Sequence, residues 1–167
     1  GSNPSLTSGV VTIFSTSGAF AALKTDGSVK AWGGSSQGGS DPSLTSGVVT
    51  IFSTYYAFAA LKTDGSVKAW GDSDYGGSDP SLTSGVVTIF STYSAFAALN
   101  TDGSVKAWGF DSGGGSTTNG SGYTGAPTGT GYVNIFSTFY AFVAVKDSNL
   151  YKNTLQDTGS YFNDVWE

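Results

Sequence analysis

The sequence predicts an all-β protein built from four tandem, three-stranded antiparallel units of about 38 residues, and three observations carry that prediction. The stretch Pro-Ser-Leu-Thr-Ser-Gly-Val-Val-Thr-Ile-Phe-Ser-Thr begins at Pro4, again at Pro42 and again at Pro80, and a drifted fourth copy begins near Tyr132. Each copy consists of short runs of β-branched and aromatic residues broken by Gly, Asp and Ser, the composition of strands and tight turns. A unit this short cannot bury its own apolar face, so the copies must pack on one another.

The second unit illustrates each element. Val48-Val49-Thr50-Ile51-Phe52-Ser53-Thr54 reads as a first strand. Ala57-Phe58-Ala59-Ala60-Leu61-Lys62 is a second apolar run. Its Ala content suits a helix, but six residues ending at an Asp-Gly are too few for one to be stable. Thr63-Asp64-Gly65-Ser66 is a tight hairpin turn, with Asp-Gly expected to supply positive φ angles. Val67-Lys68-Ala69-Trp70-Gly71 is the returning strand, and the Gly/Ser/Asp/Pro-rich stretch from Gly71 to Ser84 is a connector holding at most a short fourth strand.

Strand alternation places Phe58 and Ala60 on one face, and Ala57, Ala59 and Leu61 on the other, with Val49 and Ile51 opposing Phe52. Both faces are apolar, so each small sheet is sandwiched between neighbours. A radial arrangement, a small β-propeller or propeller-like ring, satisfies this; an open β-solenoid stack is the alternative. The units fall at about 3–41, 42–79, 80–118 and 132–167 of a single repeat domain, with a Gly/Ser/Thr insertion over 113–131. Gly1-Ser2 reads as a cloning scar. The tail Tyr161-Phe162-Asn163-Asp164-Val165-Trp166 departs from the other copies and is expected to cap the first or fourth unit. A monomer is expected, with a swapped dimer as the hazard that near-identical units create.

Composition removes most chemistry. The chain has no Cys, His, Met or Arg, and its Glu is Glu167. It therefore lacks a side chain titrating near neutrality, a thiolate nucleophile, a disulfide and the usual ligands of zinc or copper. A net charge of −5 with no Arg argues against nucleic acid as a partner. No apolar window is long enough to insert in a membrane as a helix. A Ser/Thr/Gly-rich acidic chain points to an extracellular or cell-surface location.

Two windows vary among copies whose remainder hardly changes. The first is Ser17-Gly18, Tyr55-Tyr56, Tyr93-Ser94 and Phe139-Tyr140; the second is Gly34-Ser35-Ser36-Gln37, Asp72-Ser73-Asp74-Tyr75 and Phe110-Asp111-Ser112-Gly113. Either exposed loops have drifted after duplication, or the windows differentiate a binding face. On the second reading the candidate ligand-binding residues are Tyr55, Tyr56, Asp72, Asp74, Tyr75, Tyr93, Phe139 and Tyr140. Asp26, Asp64 and Asp102 recur before Gly27, Gly65 and Gly103 and are read as turn formers. Asp72, Asp74 and Asp79 suggest calcium through their hard oxygen donors, although no bidentate Glu closes the set. Otherwise no cofactor is expected. Trp32, Trp70 and Trp108 are read as core residues packed between layers, or, if exposed beside the tyrosines, as platforms for sugar rings.

The run from Ile51 through Ala-Phe-Ala-Ala-Leu, Thr63-Asp64-Gly65-Ser66, Val67-Lys68-Ala69-Trp70-Gly71 and Asp72-Ser73-Asp74-Tyr75-Gly76 resembles the repeat of the regulator-of-chromosome-condensation family. The resemblance covers the first three units and part of the fourth, where Ala141-Phe142-Val143-Ala144-Val145-Lys146-Asp147 fits and Thr154-Leu155 stands in place of Trp-Gly. It implies a β-propeller used as a scaffold for partners. The founding member's nucleotide exchange on a small GTPase is not implied, because these units are shorter and fold does not fix function.

The function expected is a non-enzymatic protein-interaction or structural module of a surface or secreted protein. The alternative is a carbohydrate-binding, adhesin-like module in which Trp and Tyr stack on sugars beside Asp and Asn. A hydrolase ranks third, since it needs two carboxyls in one cleft and nearly every Asp here lies in a turn or loop.

Overall fold

In a computed structural model, residue 6, residues 8–116 and 125–146, and the backbone of strand 163–166 are described. Four three-stranded antiparallel sheets follow one another along the chain. Unit 1 holds β1 (Val10–Ser15), β2 (Ala19–Lys24) and β3 (Val29–Gly33); unit 2 holds β4 (Val48–Ser53), β5 (Ala57–Lys62) and β6 (Val67–Gly71). Unit 3 holds β7 (Val86–Ser91), β8 (Ala95–Asn100) and β9 (Val105–Gly109), and unit 4 holds β10 (Tyr132–Ser137), β11 (Phe142–Lys146) and β12 (Asn163–Trp166). The tail thus supplies the third strand of the fourth sheet, with Val165 opposite Val143. Thr154-Leu155 lies outside the described residues.

Every Ala-rich run is a strand, as its brevity dictates, and is the middle one of its sheet. The hairpin after it differs in detail from the sequence expectation. Gly65 N–H donates to the Lys62 carbonyl at 2.9 Å, and only the glycine takes a positive φ, 74°. Asp64 keeps a negative φ and serves as an acceptor instead, its Oδ1 receiving Ser66 N–H at 2.9 Å. This is a type I turn closed by a left-handed Gly, which spares Asp the strained conformation. A Cβ on Gly65 would also lie 2.6 Å from the backbone nitrogen of Gly85 in the next unit, so the turn is an inter-unit contact as well.

A register shift between Val48 and Thr50 corrects the parity read from the first strand. The bulge turns Val48 inward, 6% exposed, to join Ile51, and sends Val49 out, 54% exposed. The same shift occurs in the other three units.

Each sheet has a front face, looking to the preceding unit, and a rear face, looking to the following one. Val48, Ile51, Phe58, Ala60 and Trp70 form the front of unit 2 and pack on Ala19, Ala21, Leu23 and Val29 at the rear of unit 1. The same pairing joins units 2 and 3, and units 3 and 4. Small Ala on the rear face makes room for Phe and Trp on the next front, and Phe58, Phe96 and Phe142 are sealed there. Burying each such ring contributes about 2–3 kcal/mol. Trp70 Nε1–H donates 3.0 Å to the Gly38 carbonyl of the preceding unit, and Trp108 repeats the bond to Gly76. Trp70 and Trp108 are therefore core residues, not sugar platforms.

Among the described residues no core cluster joins unit 4 back to unit 1. The described connectors contain no fourth strand; after β3, β6 and β9 come short 3-10 turns at Ser35–Gln37, Ser73–Tyr75 and Asp111–Gly113.

Candidate functional site

The two variable windows are brought together. Thr54 caps the β4–β5 turn, receiving Ala57 N–H at 3.1 Å, and donates its hydroxyl to the Tyr75 carbonyl at 2.8 Å. Thr16 and Thr92 do the same to Gln37 and Gly113. The first window therefore rests on the last residue of the second, and their side chains match in size. Gly18 lies under the Gln37 side chain, Tyr56 packs edge-on against Tyr75 at 4.7 Å, and Ser94 meets Gly113. The variation at the second position of the first window and the last position of the second is thus one packing constraint seen twice in the sequence.

Neighbouring units are tied at these turns by a backbone ladder. Ser17 N–H donates to the Tyr55 carbonyl at 3.0 Å, Tyr55 N–H to Tyr93 at 2.9 Å, and Tyr93 N–H to Phe139 at 2.9 Å. Backbones hydrogen-bonded at this spacing hold their side chains about one strand separation apart. Tyr55 accordingly stacks on Tyr93 with centroids 4.6 Å apart, and Tyr93 on Phe139 at 4.7 Å. Tyr56, Tyr75 and Tyr140 flank this row within 6.3 Å. Tyr55, Phe139 and Tyr140 are exposed, and Tyr56, Tyr75 and Tyr93 are half-buried.

Crowding raises two of these phenols. Desolvation by its neighbours, the nearby Tyr75 phenol and a hydrogen bond with it push the Tyr93 hydroxyl up to about 12. Tyr56 is raised for the same first reason, with Tyr55 beside it. These phenols stay neutral donors and acceptors through the physiological range.

The carboxylates are dispersed. Asp72 caps its 3-10 turn, accepting Asp74 N–H at 2.9 Å. Asp79 is turned to Lys68 at 2.8 Å and to Ser81 N–H at 3.0 Å. The three acids read as a calcium set do not converge, and among the described residues no group of three potential metal ligands gathers. Asp26, Asp64 and Asp102 are turn formers: hydrogen bonds from the hydroxyl and amide two residues on, at Ser28, Ser66 and Ser104, hold their carboxyls below the ordinary range. Asp74 and Asp111 instead line an open depression of about 320 Å³ with Ser73, Gly109, Phe110 and Ser112. Phe110, 50% exposed, belongs to this rim and was not among the sequence candidates. Its place in the second variable window was the available signal.

Repeated three-stranded sheets packed front to rear, with turn residues gathered along one edge, define a propeller-like repeat protein. Residues 48–76 match the family profile described as the regulator of chromosome condensation (RCC1) repeat. The second unit of this chain is thus similar to an RCC1 repeat. Similar solved structures include the CRINKLY WD40 ectodomain of the Arabidopsis thaliana receptor kinase ACR4, at 20% identity and TM-score 0.59, covering 94% of this chain and 50% of that one. The entire ectodomain of the Physcomitrella patens receptor kinase CR4 gives 14% identity and TM-score 0.60, covering 94% of this chain and 38% of that one. Yeast RCC1 (Prp20), solved bound to Kap60, gives 15% identity and TM-score 0.55, covering 86% and 43%. At these identities the likeness is one of fold. The chain spans half or less of the length of each of these structures. Comparison with curated protein sequences gives no match. Among the described residues no helix is long and apolar enough to cross a membrane.

Proposed function

We propose that the chain is a non-enzymatic interaction module, and that it binds a protein partner through the aromatic row Tyr55–Tyr93–Phe139 with its flanking Tyr56, Tyr75 and Tyr140. The observation that carries this reading is a rigid, partly exposed aromatic surface built from the residues that vary between otherwise near-identical units. Aromatic rings offer large contact area at little entropic cost, and here the backbone ladder has already fixed them. Asp74, adjacent to Tyr75 in the chain, and Asp111 line an open depression with Phe110 and offer it two carboxylates. The described carboxylates are turn caps, ion-pair partners or rim residues, which supports a binding role over hydrolysis. A structure of an RCC1 protein bound to Kap60 and the ectodomain neighbours favour protein recognition, and the latter an extracellular setting.

Panning a displayed random-peptide library on the immobilised chain, beside a glycan array with and without calcium, tests the proposal. Peptides that bind the chain and lose binding on Tyr93→Ser or Tyr55→Ser are expected. Saturable glycan binding lost on the same substitutions would replace the protein reading with the carbohydrate one. Peptide binding indifferent to both would place the interaction elsewhere.

A further inference from the structure

The two ends of the stack are unfinished in complementary ways. Ile51, Ile89 and Ile135 are 3% exposed or less, whereas Ile13, in the same sequence context, is 51% exposed. Phe58 and Phe96 are fully covered, whereas Phe20 is 46% exposed and Trp32 is half-buried, stacked on Phe20 at 5.5 Å. Trp32 has no counterpart, among the described residues, of the carbonyl that Gly38 offers Trp70. The front face of unit 1 thus has the make-up of an interior face, and among the described residues no unit packs on it. At the other end, Phe14, Phe52 and Phe90 are partly buried against the next unit, whereas their equivalent Phe136 is 55% exposed, beside the half-buried Val143 and Val145. Among the described residues the backbone ladder stops at the same two places, leaving the Ser17 carbonyl as an acceptor and the Phe139 N–H as a donor.

We infer that the front face of unit 1 receives the rear face of unit 4 from a second copy of this chain, so that two copies close reciprocally into one ring of eight units. The contact would be a fourth instance of an interface the chain already makes three times, with Ile13, Phe20 and Trp32 set on Phe136, Val143 and Val145, and Phe139 N–H donating to Ser17 of the second copy. Two copies together come nearer the length of three similar solved structures, of which this chain spans 50%, 38% and 43%. Two reciprocal contacts also leave no free end, which a single head-to-tail contact would.

Sedimentation equilibrium and light scattering on the chain, from about 1 to 200 μM, with Ile13→Asp and Phe136→Asp as variants, test this. Both side chains are exposed in the single chain, and circular dichroism checks that each variant keeps its β signal. The expected result is a species of twice the 17.0 kDa chain mass that loses at least tenfold in association constant with either substitution, together with slow exchange of the Phe139 amide in the wild type. A monomer across the whole range would overturn the proposal. So would a dimer sensitive to Ile13→Asp but not Phe136→Asp, which would join two front faces. A dimer indifferent to both would be swapped, and an open ladder of oligomers would show that the ring does not close; either outcome also overturns it.

Discussion

Gly38→Ala and Gly129→Ala form a matched pair that isolates the interlocking of units from backbone strain. Gly38 has φ 95° and Gly129 φ 98°, so an added Cβ meets the same left-handed penalty at both, about 1–2 kcal/mol. At Gly129 nothing lies within 4 Å of that Cβ. At Gly38 it falls 2.7 Å from Cδ2 of Phe58, a ring with no exposed surface that is itself stacked on Trp70 at 5.2 Å. The ring cannot move without opening the interface between units 1 and 2. Overpacking of this kind adds about 1–3 kcal/mol. Gly38→Ala should therefore lose about 2–5 kcal/mol in all and Gly129→Ala about 1–2, read as the difference in urea-unfolding free energy at equal slope. Gly76→Ala, 2.6 Å from Phe96, should repeat the Gly38 result. Equal losses at Gly38 and Gly129 would refute the claim that the turn of one unit is locked against the ring of the next.

Three further outcomes follow from the same structure. The carboxyls of Asp26, Asp64 and Asp102 are depressed in the folded state, so their contribution is complete above the ordinary carboxylate range, about 4, and is lost as pH falls through the lowered values. Stability measured by urea unfolding should decline on that acid side, and Asp→Asn at all three positions should flatten the decline. In alkaline titration of phenolate absorbance one tyrosine should ionise only near about 12, and Tyr93→Phe should remove that step. Trp70→Phe leaves the Gly38 carbonyl without its donor and should cost about 1–3 kcal/mol, whereas Lys68→Gln, breaking a pair 45% exposed on each side, should cost less than about 1 kcal/mol.

Much of this architecture was legible because the repeat printed the same local chemistry several times. Strand type, the Asp-Gly turn and the two apolar faces follow from short runs such as Ala57–Lys62 and from what must cover them. Parity in the first strand was not legible, because Val48-Val49 offers two equivalent valines and only the bulge decides which turns inward. Nor was the aromatic row: Tyr55 and Tyr93 are 38 positions apart in the chain, and what stacks them is a hydrogen bond between turns of different units. Phe20 and Phe58 set the limit of local reading. From the preceding Ala through the Trp-Gly that ends the unit's third strand their sequences agree, yet one is 46% exposed and the other fully buried, because burial here belongs to the neighbouring unit.

Amide hydrogen exchange at Tyr55 and Tyr93, followed residue by residue, tests most directly whether successive units are bonded to one another along the edge that carries the site. Both amides lie in turns that an isolated sheet would leave open to water, and in the structure each donates 2.9 Å to the next unit. Protection approaching that of the β5 and β8 amides is the result this account predicts. Exchange at the rate of an unstructured chain at both positions, with β5 and β8 still protected, would contradict it.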